Sequence, residues 1–122
     1  MTIESLKYVN QLFTEAGIPY QFMEWQGKLT YPYFVGEYSE PEPTDEDGLQ
    51  ESTFMVTGTT DGSWLELEEV KERIKQLCDT TDILPNGNGI AILYSGSLNV
   101  PTGNERMKRI QVNLVIKEWS VN

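Results

Sequence analysis

Apolar residues recur at intervals of three and four over residues 3–16, where Leu6, Val9, Leu12, Phe13 and Ala16 fall on one helical face. Thr2 stands where an N-cap belongs and Gly17 where such a helix stops. The period then shortens. Tyr20 and Phe22, with Trp25 beyond them, alternate with Gln21 and Glu24 as in a half-buried strand, and Gln26-Gly27-Lys28 reads as a turn, so a hairpin is expected. Residues 30–38 are aromatic and β-branched, with Tyr31, Tyr33 and Val35 on one side, Phe34 on the other, and Pro32 suited to the strand start or an edge. Residues 51–60 repeat the alternation, Phe54 and Val56 opposing Met55 and Thr57, until Asp61-Gly62 turns the chain.

Ser63-Trp64-Leu65-Glu66 fits a capping box, in which the serine hydroxyl and the glutamate each satisfy an orphan backbone N–H at a helix start. The helix that follows carries Leu67, Val70, Ile74, Leu77 and Cys78 on one stripe, with Glu66, Glu68 and Glu69 early and Lys71, Arg73 and Lys75 later, which complements the helix dipole. Residues 79–89, rich in Asp, Pro, Asn and Gly, read as a loop. Residues 90–97 and 107–119 read as a closing hairpin joined through Leu98, Asn99, Val100, Pro101, Thr102, Gly103 and Asn104. Ile110, Val112, Leu114 and Ile116 alternate with Gln111, Asn113, Val115 and Lys117, which marks a central or near-central strand. The order α-β-β-β-α-β-β predicts an α+β fold, two helices packed on one face of a mostly antiparallel sheet, in a single domain over residues 1–122.

Composition adds a constraint on partners. Nineteen acidic against nine basic residues give a formal net charge of -10, which repels phosphates at long range and argues against specific nucleic-acid binding or a membrane-surface role. The acidity is local: Glu37, Glu40, Glu42, Asp45, Glu46, Asp47 and Glu51 lie in one stretch without Lys or Arg, and two prolines keep residues 39–48 out of a sheet interior. That stretch is expected to be a solvated loop. With Cys78 alone no intramolecular disulfide forms. Met1-Thr2-Ile3-Glu4-Ser5 lacks the pattern of a secretory signal, and no stretch approaches the ~18 apolar residues of a membrane span, so neither signal nor anchor is expected.

Candidate chemistry is sparse. Histidine is absent, which removes the commonest general base and metal ligand, and Cys78 lies on an apolar helical stripe with no histidine to activate it. Asp45-Glu46-Asp47-Gly48 superficially matches a calcium loop. Setting Gly48 at the required glycine, however, puts Pro43 at the first ligand position and Phe54 at the last. Gly87-Asn88-Gly89 fails the dinucleotide fingerprint because Ile92 replaces the third glycine and a strand follows. No catalytic residue, cofactor or metal is therefore expected. Trp25, Trp64 and Trp119, with Tyr31, Tyr33 and Tyr38, are read mainly as core and sheet packing; Trp64 and Trp119 flank elements and are the candidates for an interface.

The helix end Ala16-Gly17-Ile18-Pro19-Tyr20, the strand Tyr31-Pro32-Tyr33-Phe34-Val35-Gly36-Glu37 and the strand-turn-helix from Phe54 to Leu77 together resemble tail terminator and neck (head-tail joining) proteins of long-tailed bacteriophages. The resemblance spans nearly the whole chain and rests on element order and short phrases. It implies a non-enzymatic virion protein, made in the host bacterial cytoplasm, that self-associates into a homo-oligomeric ring, commonly hexameric, on the tail tube and meets neck or connector proteins. Candidate contact residues are then Glu40, Glu42, Asp45, Glu46 and Asp47 in the acidic loop, Asn99, Asn104 and Arg106 around the hairpin tip, and Trp64 and Trp119. Carboxylates lining a lumen would let DNA pass without sticking. The competing reading is a small acidic inhibitor that imitates DNA phosphates toward a host nuclease or regulator. A mimic needs carboxylates spread over a continuous face, whereas these are concentrated in one loop. A carboxylate-pair enzyme is the third class, and a chain this short has little room for the cleft it requires.

Overall fold

The structure, a computed structural model, describes residues 1–42 and 48–120. Thr2 caps α1 (Ile3–Glu15), its hydroxyl accepting from the Ser5 N–H at 3.2 Å, and the helix ends as Gly17 turns left-handed at φ 73°. β1 (Tyr20–Phe22), β2 (Tyr33–Ser39) and β3 (Gln50–Thr60) follow, then α2 (Trp64–Leu77), β4 (Thr80–Ile83), β5 (Gly89–Asn99) and β6 (Lys108–Trp119). The six strands form one sheet in the order β1-β2-β3-β6-β5-β4.

The expected α+β architecture holds, with one strand more. β4 lies inside the stretch read as a loop; it is a four-residue edge strand, mostly exposed, whose Thr-Thr-Asp-Ile sequence carries no apolar alternation. The expected hairpin between β1 and β2 is not formed. These strands run parallel, Tyr20 beside Phe34 and Phe22 beside Gly36. The connection doubles back instead of turning tightly: the Gln21 side chain donates to the Gln26 carbonyl at 3.0 Å and accepts the Gln26 N–H at 2.8 Å, closing the loop on itself. The capping box is also absent. Ser63 is the N-cap of α2 without a side-chain bond, its carbonyl rather than its hydroxyl accepting the Glu66 N–H at 3.1 Å, and the Glu66 carboxylate accepts from the Thr60 hydroxyl at 2.7 Å, across the turn that leaves β3.

β3 and β6 form the centre, paired antiparallel from Gln50 opposite Glu118 to Thr60 opposite Lys108. Phe54, Val56, Ile110, Val112, Leu114 and Ile116 point to one face and are fully or almost fully buried. Val9 and Phe13 of α1 and Leu67, Val70 and Ile74 of α2 join them in one cluster, each large side chain contributing about 1.5–3 kcal/mol of apolar burial. Arg73 of α2 donates to the Gly17 carbonyl at 3.2 Å, placing a cation at the negative end of α1. Cys78 ends the α2 stripe inside this core, and burial, with Asp79 beside it, pushes its thiol up to about 11, far from a reactive thiolate.

Among the described residues, no helix lies on the opposite face. Val35, Met55, Thr57, Gln111, Asn113, Val115 and Leu93 lie there half-buried, with Gln111 donating to Asn113 at 2.8 Å. β5 changes sides along its length: Tyr94 pairs with Leu114 and Gly96 with Asn113, so Ser95 is an extra residue in a bulge where Gly96 takes φ 115°. Beyond it Leu98 faces the helix-free side opposite Gln111, and Asn99 faces the helix side opposite Ile110.

Gly58 lies under the ring of Phe34, its cross-strand partner, and a Cβ there would meet Phe34 Cε2 at 2.1 Å. Gly58→Ala is expected to destabilise the fold by about 1–3 kcal/mol through forced displacement of that buried ring. Adding Phe34→Leu should cost less in the Gly58→Ala background than in the native chain; urea-denaturation midpoints of the four proteins measure the coupling.

Candidate assembly surfaces

The long strands give the molecule two ends. At the hairpin end the start of α2 meets the β5–β6 hairpin, and at the acidic-loop end residues 40–49 link β2 to β3 beside the start of α1. The residues singled out in the sequence divide between them.

At the hairpin end, Trp64, Asn99 and Asn104 line one open cleft of about 350 Å³ together with Val100, Met107 and Lys108. Trp64 is 41% exposed because it is the first residue of α2 and the apolar stripe begins only at Leu67. The hairpin turn is tied internally: Thr102 donates to the Asn104 and Met107 carbonyls at 2.8 and 2.9 Å, and Asn104 accepts from the Arg106 N–H at 3.0 Å. Arg106 is exposed on the same turn. Leu98, at the start of the hairpin tip expected as a surface, is 49% exposed, and Leu65, which sequence reasoning did not single out, is 70% exposed. Leu65 precedes the buried stripe, and the bulge in β5 turns Leu98 outward.

Trp119 sits at the other end of β6. Its indole covers Gly89 on the helix-free face, half-buried, well away from Trp64. Glu40 and Glu42 are at this acidic-loop end and exposed. Glu40 accepts from the Met1 amine and from the Ser52 hydroxyl. Asp45, Glu46 and Asp47 fall outside the described residues. Trp25, Tyr31 and Tyr33, read chiefly as packing, form a surface cluster beside β1, with Trp25 and Tyr31 each within 5.8 Å of Tyr33 by ring centroids; Tyr31 is 40% exposed.

One structural carboxylate was missed. Glu118 continues the inward register of Ile110, Val112, Leu114 and Ile116 and is 4% exposed. It accepts from the Thr2 N–H at 3.2 Å, the Thr2 hydroxyl at 2.8 Å and Asn88 Nδ2 at 2.9 Å. Burial works to raise this carboxyl, but the hydrogen bonds from Asn88, Thr2 and Ser5 outweigh it and leave it below its ordinary value. The Thr2 hydroxyl thus caps α1 while binding β6. The signal was available: an acid at an inward position of a central strand requires polar partners.

Among the described residues, no buried side-chain nitrogen or oxygen lacks a partner, no group of three or more His, Cys, Asp or Glu is placed to hold a metal ion, and no helix is long and apolar enough to cross a membrane. The groups exposed at the two ends are apolar side chains, amides and charged side chains.

No protein-family model matches the sequence, and no curated protein matches it. Among solved structures, the fold is similar to a chain from the virion of a native gene transfer agent particle, with a TM-score of 0.72 and 12% identity, covering 89% of this chain and 84% of that one.

The Glu118 carboxyl is lowered in the folded state, so its stabilisation is complete above about pH 5 and is lost as pH falls through the folded value. Glu118→Gln turns an amide donor toward Thr2 and Asn88 and should cost about 1–3 kcal/mol at neutral pH. The difference from the native chain should shrink below about pH 4, a trend read from urea melts across the acid range.

Proposed function

We propose that this chain is a structural protein of a phage or phage-like particle, of the tail terminator or tail completion kind, which forms a ring on the end of a tail tube and joins it to the head. The observation that carries this reading is the shared fold with a chain of a gene transfer agent virion over most of both chains. The surfaces support it. A ring subunit needs two different patches that meet head to tail around an axis, so that closure leaves only the two ring faces free. This molecule has distinct ends, an apolar-rimmed cleft beside Trp64 and an acidic loop, and its outermost strands, β1 and β4, are short, which limits uncontrolled edge pairing.

Such a role asks for shape and surface chemistry, not for a nucleophile, and the buried, raised thiol of Cys78 fits it. The inhibitor reading finds less support. Apart from residues 37–51 the chain has twelve acidic and nine basic residues, and Arg106, Lys108 and Arg109 interrupt any continuous negative face at the hairpin end.

The test is reconstitution. Purified chain added to polymerising tail tubes should appear as an extra ring at one end in electron micrographs and hold tube length constant. Particles assembled without it should have overlong or headless tails. If tube length and head joining are indifferent to the chain, it has another place in the particle or none.

A further inference from the structure

The helix-free face of the sheet has two halves of opposite sign. β2 and β3 turn Glu37 and Glu51 outward there, and β6 turns Arg109 and Lys117 outward beside them. β1 and β5 contain no charged residue, and Asp82 of β4 faces the helices, where the Tyr8 hydroxyl donates to it. Two acids therefore balance two bases on this face of a chain whose formal net charge is -10. Among the described residues the ion pairs lie elsewhere, and Arg109 donates from Nε only to the Thr59 hydroxyl, at 3.2 Å. Between the charges stand Val35, Met55, Val115 and Leu93, half-buried, and Leu98, the most exposed of them. An antiparallel face made only for water turns polar residues outward, whereas here four adjacent strands turn apolar ones that way.

Such a pattern is self-complementary. Copies of so acidic a molecule repel one another except where charge balances, and this face is such a place. A two-fold axis in the plane of the face, running along the strands between β3 and β6, lays β3 of one copy over β6 of the other and β2 over β5. The acidic half of each copy then covers the basic half of its mate. Glu51 and Lys117 share one row of the sheet, so each meets the other's counterpart, and Val35 meets Leu98 by the same rule. An axis across the strands lays β3 on β3 and β6 on β6 instead. The outward side of β6 has no carboxylate to receive Lys117, and that of β3 has no base to receive Glu51. The size also fits. At about 4.8 Å between strands and about 3.4 Å per residue, the four central strands present a face roughly 20 by 30 Å, the footprint of one side of an interface burying about 800 Å² per partner. Sheets packed this way lie about 10 Å apart, a gap that lysine and glutamate side chains span together.

We propose that the helix-free face binds the same face of a second copy, β3 over β6 and β2 over β5, in a two-fold dimer of the free chain. The contact lies on a face and leaves both ends of the molecule open, so it goes beyond the ring reading and does not rest on it. The apolar side chains at the centre supply the desolvated area, and the charges select the mate and its orientation.

The test is sedimentation velocity of the full chain between about 1 and about 200 μM, with urea melts to confirm that each variant folds. The native chain should become dimeric across that range. Glu51→Lys and Lys117→Glu, each at an outward position, should weaken association about tenfold or more, because either change sets like charges against each other twice per dimer. An equimolar mixture of the two variants sets opposite charges at both contacts. It should recover the native affinity to within about threefold, and so should the double variant Glu51→Lys/Lys117→Glu. Met55→Lys, at the centre of the face, should leave a folded monomer. A native chain that stays monomeric at about 200 μM overturns the proposal, as does association indifferent to both reversals. Recovery in the double variant without recovery in the mixture would place the Glu51 and Lys117 interaction within one chain, and it would sink the dimer as well.

Discussion

The structure depends on one constraint: a six-stranded sheet is covered on a single face. The register between β3 and β6 decides which face that is, because a slip of one residue would move Phe54, Val56, Ile110, Val112, Leu114 and Ile116 from the core to solvent. Both helices exist to cover those side chains, and their stripes are no wider than that task needs. The same register places Glu118 inside, where apolar neighbours would make a lone carboxylate expensive. The start of α1 and Asn88 answer that need with three donors, so a potential defect becomes the clasp joining helix to sheet.

One-sided coverage also shapes what faces outward. The helix-free face is free to carry hydroxyls and amides, and this face and the ends of the long strands, not a pocket, hold the features available to partners. The acidic link between β2 and β3 lies at one end of the strands, and at the other Arg106, Lys108 and Arg109 stand among Asp61, Glu66 and Glu105. A molecule with unlike ends is suited to directional stacking or ring closure, whereas a like-ended one favours paired dimers.

Much of the fold was legible because its main elements obey their own periods. The stripes of α1 and α2 and the alternation in β3 and β6 gave their boundaries to within a residue or two. What failed was relational. An alternating strand is silent about the direction of its neighbour, so β1 was read as half of a hairpin when it runs parallel to β2. β4 has no apolar alternation to detect, and the bulge at Ser95 is hidden among small polar residues. The capping box is not formed: the Ser63 carbonyl takes the Glu66 N–H, and Thr60, outside the motif, holds the Glu66 carboxylate. Of the surface residues, Trp64, Asn99 and Asn104 converge because a helix start and a hairpin turn meet at the same end of the sheet. Trp119 shares with Trp64 only a place at the margin of an element, and it lies at the opposite end. Glu118 carries no cluster signal, because it stands alone among hydrophobics on β6.

The hydrogen bonds between Thr2 and Glu118 span 116 positions, and β3 is bordered by β2 on one side and by β6, far downstream, on the other. During synthesis β3 can zip onto β2 at once, but it waits roughly fifty residues for β6, several seconds at about 5–20 residues per second. Through that interval its unpaired edge and the side chains of Phe54 and Val56 lack their final cover, and the ribosome's pace, more than any local preference, sets how long the centre of the sheet stands open to mispairing.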